Sequence, residues 1–283
     1  MKPAAFDYFA PESLTEALTL LRDVEGAKVL AGGQSLVPAM NFRLTRPGAL
    51  VDINRVPGLD SITIDGDEAQ IGALTRHRAF EQPVVPGPLG RLMVDMAHHV
   101  GHLPIRVRGT FGGSLAHADP AAEWCLLART LDATMIVRGA DQERRIPASE
   151  FFSTMFTTAL EDDELLTEVR LPLVGDGHLV GFSEFSRRVG DFALVMIAVV
   201  VEVRDGTVTE ARIGAGGVSD IPLRLSSAEA ALQGGTWDSA LWAGAGEAGR
   251  AEVEPFEDIH GSTEYRRDLV GALIQRACRQ ATG

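Results

Sequence analysis

Cysteine is scarce in this chain of 283 residues, which contains two, Cys125 and Cys278. They do not form a CxxC pair, so the chain alone lacks the thiolates that ligate an iron–sulfur cluster or a structural zinc ion. We expect both side chains to pack as small hydrophobic groups in a reducing compartment.

Long apolar runs and an excess of basic charge are also missing. The longest apolar run covers residues 192–201, which is too short to span a bilayer. The first residues lack the apolar stretch of a signal peptide, so we predict a cytoplasmic protein with no transmembrane segment. The net charge of -13 argues against general nucleic-acid binding, which needs a basic surface.

Several catalytic signatures are absent as well. No GxSxG motif surrounds Ser35 or Ser114, which disfavours a serine hydrolase, and there is no Walker A lysine. Residues 244–249 match GxGxxG, but they follow a helical pattern where a Rossmann site needs a strand. A further glycine cluster at residues 214–217 follows a strand pattern, and we interpret it as a turn.

The histidines do not define a metal site by sequence alone. His98 and His102 are four residues apart on a predicted helix, His99 lies between them, and His117 and Asp119 follow. A metal site would also need converging carboxylates and supporting hydrogen bonds. We favour histidines at helix ends or interfaces, and we assign no metal ligand and no catalytic residue.

Two glycine-rich segments stand out against these absences. Residues 109–124 contain a Gly-Gly pair with a hydroxyl residue on each side and two carboxylates further on. This composition lets bare N–H groups approach an anion and permits the positive φ of a tight loop. A similar segment, residues 30–36, lies far upstream. We therefore predict that the two loops close on the phosphates of a dinucleotide from opposite sides.

Hydrophobic periodicity predicts a mixture of helices and strands before residue 172. Ser13 and Glu16 have capping-box spacing ahead of a helix that ends near Gly26. Pro120 is placed at the start of a helix over residues 121–131. Strands are predicted at residues 28–30, 49–53, 61–64, 69–74, 135–137, 144–146 and 164–171, the third and fourth forming a hairpin.

The pattern changes after residues 172–177, a segment with a proline and two glycines that we interpret as a domain boundary. An antiparallel meander is predicted for residues 179–185, 194–203 and 208–213. Helices are predicted near residues 227–232, 237–245 and 263–280. The arginine pairs at residues 187–188 and 266–267 are expected on the solvated surface, with a docking patch for an acidic partner as the alternative.

Residues 31–36, Ala-Gly-Gly-Gln-Ser-Leu, and residues 110–114, Thr-Phe-Gly-Gly-Ser, resemble the two FAD loops, AGGxSL and TIGG, of the medium subunit of molybdenum hydroxylases. That family includes the medium subunit of carbon monoxide dehydrogenase and the flavin part of xanthine dehydrogenase. The match follows the family's order over nearly the whole chain, at residues 50–54, 71–75, 164–172, 187–193 and 264–267.

The resemblance implies an α+β fold. Residues 1–175 would form a FAD-binding domain of the vanillyl-alcohol oxidase and MurB (PCMH) type, with subdomains at about residues 1–56 and 57–175. Residues 176–283 would form a smaller α+β C-terminal domain with an antiparallel sheet, like that of the carbon monoxide dehydrogenase flavoprotein. Gln34 fits FAD bound without a covalent link, because it cannot form the flavin bond that His or Cys makes in related oxidases.

The same resemblance implies a set of cofactor-binding residues. The two glycine segments would hold the pyrophosphate, Thr75 would lie near the flavin, and Leu166 would lie near the adenine or ribose. Glu123 stands where the family usually has Asp, and Phe182 and Glu184 stand where members often carry Tyr and Lys. Loss of that lysine removes a cation near the cofactor, which we expect to lower FAD affinity or shift the potential. The full set is Ala31, Gly32, Gly33, Gln34, Ser35, Leu36, Thr75, Thr110, Gly112, Gly113, Ser114, Glu123, Leu166, Phe182 and Glu184.

The resemblance further implies an electron-transfer flavoprotein subunit of an oxidoreductase. A molybdopterin-binding large subunit would oxidise the substrate, and a small subunit with [2Fe–2S] clusters would pass electrons to FAD on this chain, which then reduces an external acceptor. A dimer of such heterotrimers is expected by analogy.

Two alternatives stay open. One is a stand-alone FAD oxidase or dehydrogenase acting directly on a small organic substrate, with His77, His99 or His117 as its base. The other is a non-catalytic binding protein that has lost its flavin.

Overall fold

A computed structural model describes residues 1–281, in which helices pack against three larger sheets and one two-stranded ribbon. In this part of the chain, no helix combines the length and apolar character needed to cross a membrane. Cys125 and Cys278 are both buried and unbridged, as expected for small hydrophobic groups.

The first sheet is small and parallel. Its part of the chain contains β1 (Asp7–Phe9), α1 (Leu14–Asp23), β2 (Ala27–Leu30), α2 (Leu36–Asn41) and β3 (Ala49–Asp52). The strand order is β1-β3-β2. Ser13 caps α1 by accepting a hydrogen bond from the Glu16 N–H, as its spacing predicts. Strand β2 leads directly into the first glycine segment, and a short 3₁₀ turn over Ile53–Arg55 follows β3.

The second sheet is antiparallel and has five strands in the order β4-β5-β10-β6-β7. The hairpin predicted around residues 65–67 is present as β4 and β5. The elements are β4 (Ile62–Asp65), β5 (Glu68–Gly72), α3 (Gly87–Ala97), α4 (Leu103–Arg108), α5 (Phe111–His117), α6 (Glu123–Thr130), β6 (Thr134–Arg138), β7 (Glu143–Pro147), α7 (Ala148–Phe151), the ribbon β8 (Phe152–Thr154) and β9 (Thr157–Thr158), and β10 (Leu165–Pro172). A 3₁₀ turn covers His77–Glu81.

The third sheet is the predicted antiparallel meander with one short strand added, in the order β11-β12-β13-β14. Three helices follow it in the chain. The elements are β11 (His178–Phe185), β12 (Val195–Arg204), β13 (Thr207–Gly216), β14 (Leu223–Arg224), α8 (Ser226–Leu232), α9 (Ser239–Glu252) and α10 (Thr263–Gln280).

The largest hydrophobic core lies between the second and third sheets. Side chains of α3, α5 and α6, among them Met96, Phe111 and Trp124, pack there with Phe182 of β11 and Met196 of β12. A second core fills the space between the third sheet and helices α8 to α10, and a third lies under the parallel sheet.

Two predicted boundaries near the largest core are wrong. Helix α6 begins at Glu123 and not at Pro120, because residues 119–122 form a turn in which the Asp119 carboxylate accepts from the Ala121 N–H at 2.9 Å. Residues 214–216 belong to β13 and not to a turn, since the ladder with β12 continues to Gly216.

The GxGxxG match lies in the middle of α9, which runs past its predicted end at residue 245. A Cβ on Gly246 would lie 2.7 Å from the Gly271 carbonyl oxygen of α10. The helical context predicted for this motif is thereby confirmed, and Gly246 and Gly249 allow α9 to pack closely on α10.

Arg266 also differs from expectation. It is buried, and its guanidinium donates to the carbonyl oxygens of Leu194 at 2.8 Å and Gly217 at 3.1 Å and pairs with Asp258 at 2.9 Å. The prediction of a solvated surface was therefore wrong for Arg266, which ties α10 to the loop before β12 and to the end of β13.

Candidate functional site

The two glycine segments meet in space although about eighty residues separate them. A Cβ on Gly32 would lie 2.5 Å from the Arg108 carbonyl oxygen and 2.7 Å from the Gly109 Cα atom. Two backbones approach so closely here that only glycine fits at position 32. The predicted convergence of the segments is present in the structure.

The first glycine segment lines a cavity of about 510 Å³. Gly33 has φ +72°, the left-handed conformation expected of a tight glycine loop. Within residues 1–281, the N–H groups of Gly33, Gln34 and Ser35 donate to no protein acceptor. The cavity is lined by Leu30, Ala31, Gly32, Gly33, Gln34, Val37, Pro38, Asp52, Asn54 and Arg108.

A second cavity of about 410 Å³ lies on the other side of Asn54 and includes Thr75 and Arg76 in its lining. The Asn54 amide donates to the Ala31 carbonyl at 2.8 Å, and Arg76 donates to Asn54 Oδ1 at 2.5 Å and to the Arg108 carbonyl. The Thr75 hydroxyl is buried and has no hydrogen-bond partner among the described residues. Asn54 and Arg76 therefore tie the two glycine segments together and leave a hydroxyl available for a ligand.

The second glycine segment is not the open loop that its composition suggested. Thr110 caps α5, and the two glycines lie in its first turn. The N–H groups of residues 111–114 are all used within the chain, with Phe111 donating to the Thr75 carbonyl, Gly112 to the Ala73 carbonyl and Gly113 to the Thr110 hydroxyl. A Cβ on Gly112 would overlap Ala73. Gly112 allows close packing against Ala73, next to the second sheet, and Gly113 leaves room for the capping hydroxyl of Thr110. Among the described residues of the two segments, free N–H groups lie at residues 33–35 and none lies at residues 111–114.

The side chain of His77 packs against the second glycine segment at Gly109. Its Nδ1 accepts a hydrogen bond of 2.9 Å from the indole N–H of Trp124, and a Cβ on Gly109 would lie 2.6 Å from its Nε2. Burial, with smaller contributions from Arg76 and Arg106, lowers the pKa of His77 to about 4. The imidazole is therefore neutral at pH 7, and its role here is structural.

Two further predicted residues, Phe182 and Glu184, contact His99 just beyond the end of α3, and a third, Glu123, begins α6. Glu184 Oε1 lies 3.6 Å from Nδ1 of His99, and the His99 ring meets Phe182 edge-on with centroids 5.2 Å apart. Burial of the Glu123 carboxyl, with the nearby charges of Glu184 and Asp119, raises its pKa to about 8.

The other predicted residues lie close to these groups or in the core. Ser35 precedes α2 and is exposed, while Leu36 begins that helix. Ser114 lies on α5, where its carbonyl accepts a weak hydrogen bond from the Cys125 thiol at 3.6 Å. Leu166 is buried on β10 within the largest core.

Sequence reasoning missed three residues of the site. Asn54 was named only within the matching segment of residues 50–54, and Arg76 and Arg108 were not singled out. Asn54 ends a recognised segment, Arg76 directly follows one and Arg108 directly precedes one, and this position is the signal that the sequence offered for them. Their roles depend on contacts across 22 to 32 residues, which no local pattern encodes.

Comparison with known proteins agrees with this geometry. Residues 4–174 match the family model described as the FAD binding domain in molybdopterin dehydrogenase, and residues 181–281 match the CO dehydrogenase flavoprotein C-terminal domain. The chain is 39% identical to the 6-hydroxypseudooxynicotine dehydrogenase complex subunit alpha of Paenarthrobacter nicotinovorans, over 99% of this chain and 96% of that one. It is 34% identical to the carbon monoxide dehydrogenase medium chain of Hydrogenophaga pseudoflava, over 99% and 98%. A structure of carbon monoxide dehydrogenase from the same organism, which lacks the Mo-pyranopterin moiety, superposes with a TM-score of 0.95 at 36% identity over 100% of this chain and 99% of that one.

The fold and the matches define a chain of an oxidoreductase that has a FAD-binding domain and a flavoprotein C-terminal domain. The chain belongs to the FAD-binding medium subunits of the molybdenum hydroxylase family. Its own residues fit a dinucleotide, because the unused N–H groups of Gly33 to Ser35 and the unpartnered Thr75 hydroxyl are groups that a phosphorylated ligand satisfies.

Proposed function

We propose that this chain is the FAD-carrying electron-transfer subunit of a molybdenum-containing hydroxylase, which accepts electrons from [2Fe–2S] clusters of a partner and passes them to an external acceptor. The observation that carries the proposal is the contact of Gly32 with Arg108 and Gly109 beside a cavity lined by unused N–H groups. Backbone N–H groups of this kind are suited to a pyrophosphate.

Each group in the site has a defined task in this proposal. Gly33, Gln34 and Ser35 would hold the pyrophosphate, and Arg108 would add a positive charge at the same cavity. Thr75 would donate its free hydroxyl to the bound cofactor. Gln34 has no nucleophile for a flavin bond, so the cofactor would be held without a covalent link. The redox chemistry would be that of the isoalloxazine ring, and the protein supplies position and electrostatics.

The chain would need no catalytic acid or base of its own. His77 is an unsuitable base, because its Nδ1 is occupied by Trp124 and burial lowers its pKa to about 4. Burial also lowers the pKa of His117, whose ring stacks on Phe156 with centroids 5.0 Å apart. A stand-alone oxidase that uses His77 or His117 as its base is therefore the weaker candidate.

The metal cofactors would reside on partner subunits. Burial raises the pKa of the Cys125 thiol well above its ordinary value and that of Cys278 to about 12, so neither thiol is available as a thiolate ligand. A molybdopterin-binding large subunit and a [2Fe–2S] small subunit are the partners we propose, assembled as a dimer of heterotrimers.

The test starts with the purified chain. Acid precipitation of a yellow protein should release FAD into the supernatant, which would show that the cofactor is bound without a covalent link. In anaerobic mixing, a small organic substrate should reduce the flavin only when both partner subunits are present. Direct reduction of the isolated chain by the substrate would overturn the electron-transfer assignment in favour of a stand-alone oxidase.

A further inference from the structure

The turn that follows α2 exposes large apolar side chains to solvent. Phe42 is 69% exposed and Leu44 is 83% exposed. Val37, on α2 itself, is 40% exposed and lines the cavity beside the first glycine segment. Single exposed hydrophobic residues are common on protein surfaces, but three of them within residues 37–44 are typical of an interaction surface.

The backbone closes α2 in a way that commonly buries the residue at the position of Leu44. The N–H of Leu44 donates to the Ala39 carbonyl at 2.9 Å, and the N–H of Arg43 donates to the Met40 carbonyl at 3.0 Å. These two hydrogen bonds form a Schellman motif, which is frequently accompanied by an apolar contact between its last residue and the helix. Leu44 instead leaves most of its apolar surface in solvent.

Arg43 occupies the position of this motif that favours glycine. Its φ is +61°, the left-handed conformation in which a Cβ atom crowds the following carbonyl oxygen. Glycine would adopt this conformation without that crowding. A residue that opposes the local preference of the backbone at an exposed turn indicates a role outside folding.

The charge of this segment is opposite to that of the whole chain. No aspartate or glutamate occurs between Glu25 and Asp52, whereas the chain has a net charge of -13. Arg43 and Arg46 are both exposed, and within residues 1–281 neither guanidinium forms an ion pair or donates a hydrogen bond. An aromatic side chain beside arginines is typical of protein interfaces, and the unpaired positive charges favour an acidic partner.

We propose that residues 42–46 form the docking site for the [2Fe–2S] subunit, whose matching surface would have an apolar pocket bordered by carboxylates. The inference rests on the proposed function, in which electrons pass from the clusters of that subunit to FAD, so the two must come close. Helix α2 links residues 42–46 to the candidate cofactor site, because its residues Val37 and Pro38 line the cavity. The helix has six residues and is therefore about 9 Å long.

Arg43→Gly and Leu44→Ser test the docking site. The dissociation constant of each full-length variant for the [2Fe–2S] subunit, separated from the purified holoenzyme, is measured by analytical ultracentrifugation. Arg43→Gly should raise it by roughly tenfold, although the variant should unfold at the wild-type temperature or above it, since glycine suits the left-handed position. Leu44→Ser should also raise it by roughly tenfold, because an apolar contact is lost.

Asp205→Gly is the matched control for Arg43→Gly. Asp205 is likewise exposed and has φ +50°, but it lies at the turn between β12 and β13. Its replacement should leave the association unchanged. Added salt should weaken the association of the wild type more than that of Arg43→Gly, because one of the attracting charges is missing in the variant.

Crosslinking in the assembled holoenzyme identifies the occupant directly. A photoreactive benzoylphenylalanine in place of Leu44 should crosslink to the [2Fe–2S] subunit on irradiation. Crosslinks to the molybdopterin-binding subunit, to a second copy of this chain or to no subunit would overturn the inference.

The outcomes separate this inference from the proposed function. A wild-type chain that binds the [2Fe–2S] subunit, together with variants that bind it equally well, overturns the docking site and leaves the function standing. A wild-type chain that does not bind the [2Fe–2S] subunit overturns both. If Leu44→Ser fails to fold, the association of Arg43→Gly and the crosslink decide.

Discussion

At position 32, the absence of a side chain allows the two glycine segments to meet. Its hypothetical Cβ would meet backbone atoms of Arg108 and Gly109, which cannot move aside as a flexible side chain can. We expect Gly32→Ala to separate the glycine segments, costing about 1–3 kcal/mol of stability and weakening FAD binding by at least roughly tenfold. Thermal unfolding and fluorescence titration with FAD measure the two effects.

Gly244→Ala is the matched control for Gly32→Ala. Gly244 lies on the exposed side of α9, where a Cβ would have no neighbour within 4 Å. Alanine there should leave FAD affinity unchanged and stabilise the helix by up to about 1 kcal/mol. Equal FAD affinity in Gly32→Ala and Gly244→Ala would contradict the role assigned to the close backbone contact.

His77 should make stability depend on pH. Its pKa is about 4 in the folded protein and 6.5 as its ordinary value, so the unfolded chain takes up the proton first when the pH falls. The free energy of unfolding should therefore fall between pH 6.5 and pH 4, with a total contribution from His77 of about 3 kcal/mol. Glu123, whose pKa is raised to about 8, acts in the opposite direction, because its contribution to the free energy of unfolding falls as the pH rises from 4.5 to 8. The contribution of His77 must therefore be isolated by substitution.

Urea unfolding of wild type and His77→Gln at pH 7 and pH 4.5 isolates the contribution of His77 to the free energy of unfolding. The advantage of wild type over the variant should be about 2–3 kcal/mol smaller at pH 4.5 than at pH 7. A difference that does not change with pH would show that His77 is not held neutral in the folded state.

At the scale of helices and strands, a glycine motif whose sequence is typical of nucleotide binding serves helix packing instead. The GxGxxG match in α9 packs one helix on another, and Gly246 is its most constrained member because the Gly271 carbonyl lies opposite. We expect Gly246→Ala to lower the stability by about 1–3 kcal/mol while the affinity for FAD stays at the wild-type value. Calorimetry and FAD titration of this variant check both statements, and a loss of FAD affinity at full folding would revive a nucleotide role for the motif.

Local patterns predicted most of the elements but not the way the site is assembled. The capped first helix, the hairpin around residues 65–67 and the meander were predicted because each depends on short-range periodicity and turn chemistry. Helix α5 was missed because a Gly-Gly pair has low helix propensity, and only the Thr110 cap and the fit against Ala73 make it helical. The bridge through Asn54 and Arg76 and the burial of Glu184 depend on tertiary contacts, which a single sequence does not display.

At the scale of the whole molecule, the sequence motifs place a domain boundary near residue 175, but the hydrophobic core continues across that boundary. Val180, Phe182, Met196 and Val200 of the third sheet share one core with the helices and strands of residues 69–171. Gly214 packs directly against Thr130, so even the last turn of α6 is fitted to β13.

Polar contacts cross the same boundary. Arg224 of β14 pairs with Asp132, just beyond α6, at 2.8 Å, and it pairs with Glu229 of its own half at 2.5 Å. Arg212 of β13 donates to the Leu131 carbonyl at 3.4 Å. The interface between the two halves is therefore apolar at its centre and bordered by arginines, in contrast to the loose and polar contacts that let domains move independently.

A shared core of this kind should make the two halves unfold together. We expect calorimetry of the FAD-free chain to give one transition, with the calorimetric enthalpy equal to the van't Hoff enthalpy, because exposing either half strips apolar side chains of the other. A fragment of residues 1–175 should show fluctuating packing and bind a hydrophobic dye, since it would leave the inner faces of α3 and α6 uncovered. Two resolved transitions in the full chain, or a fragment as cooperative as the whole, would mean that the boundary near residue 175 separates independent domains. In that case the glycine segments, which both lie before residue 175, would bind FAD without the second half. A single transition would instead place Phe182 and Glu184 in the same folding unit as Gly32.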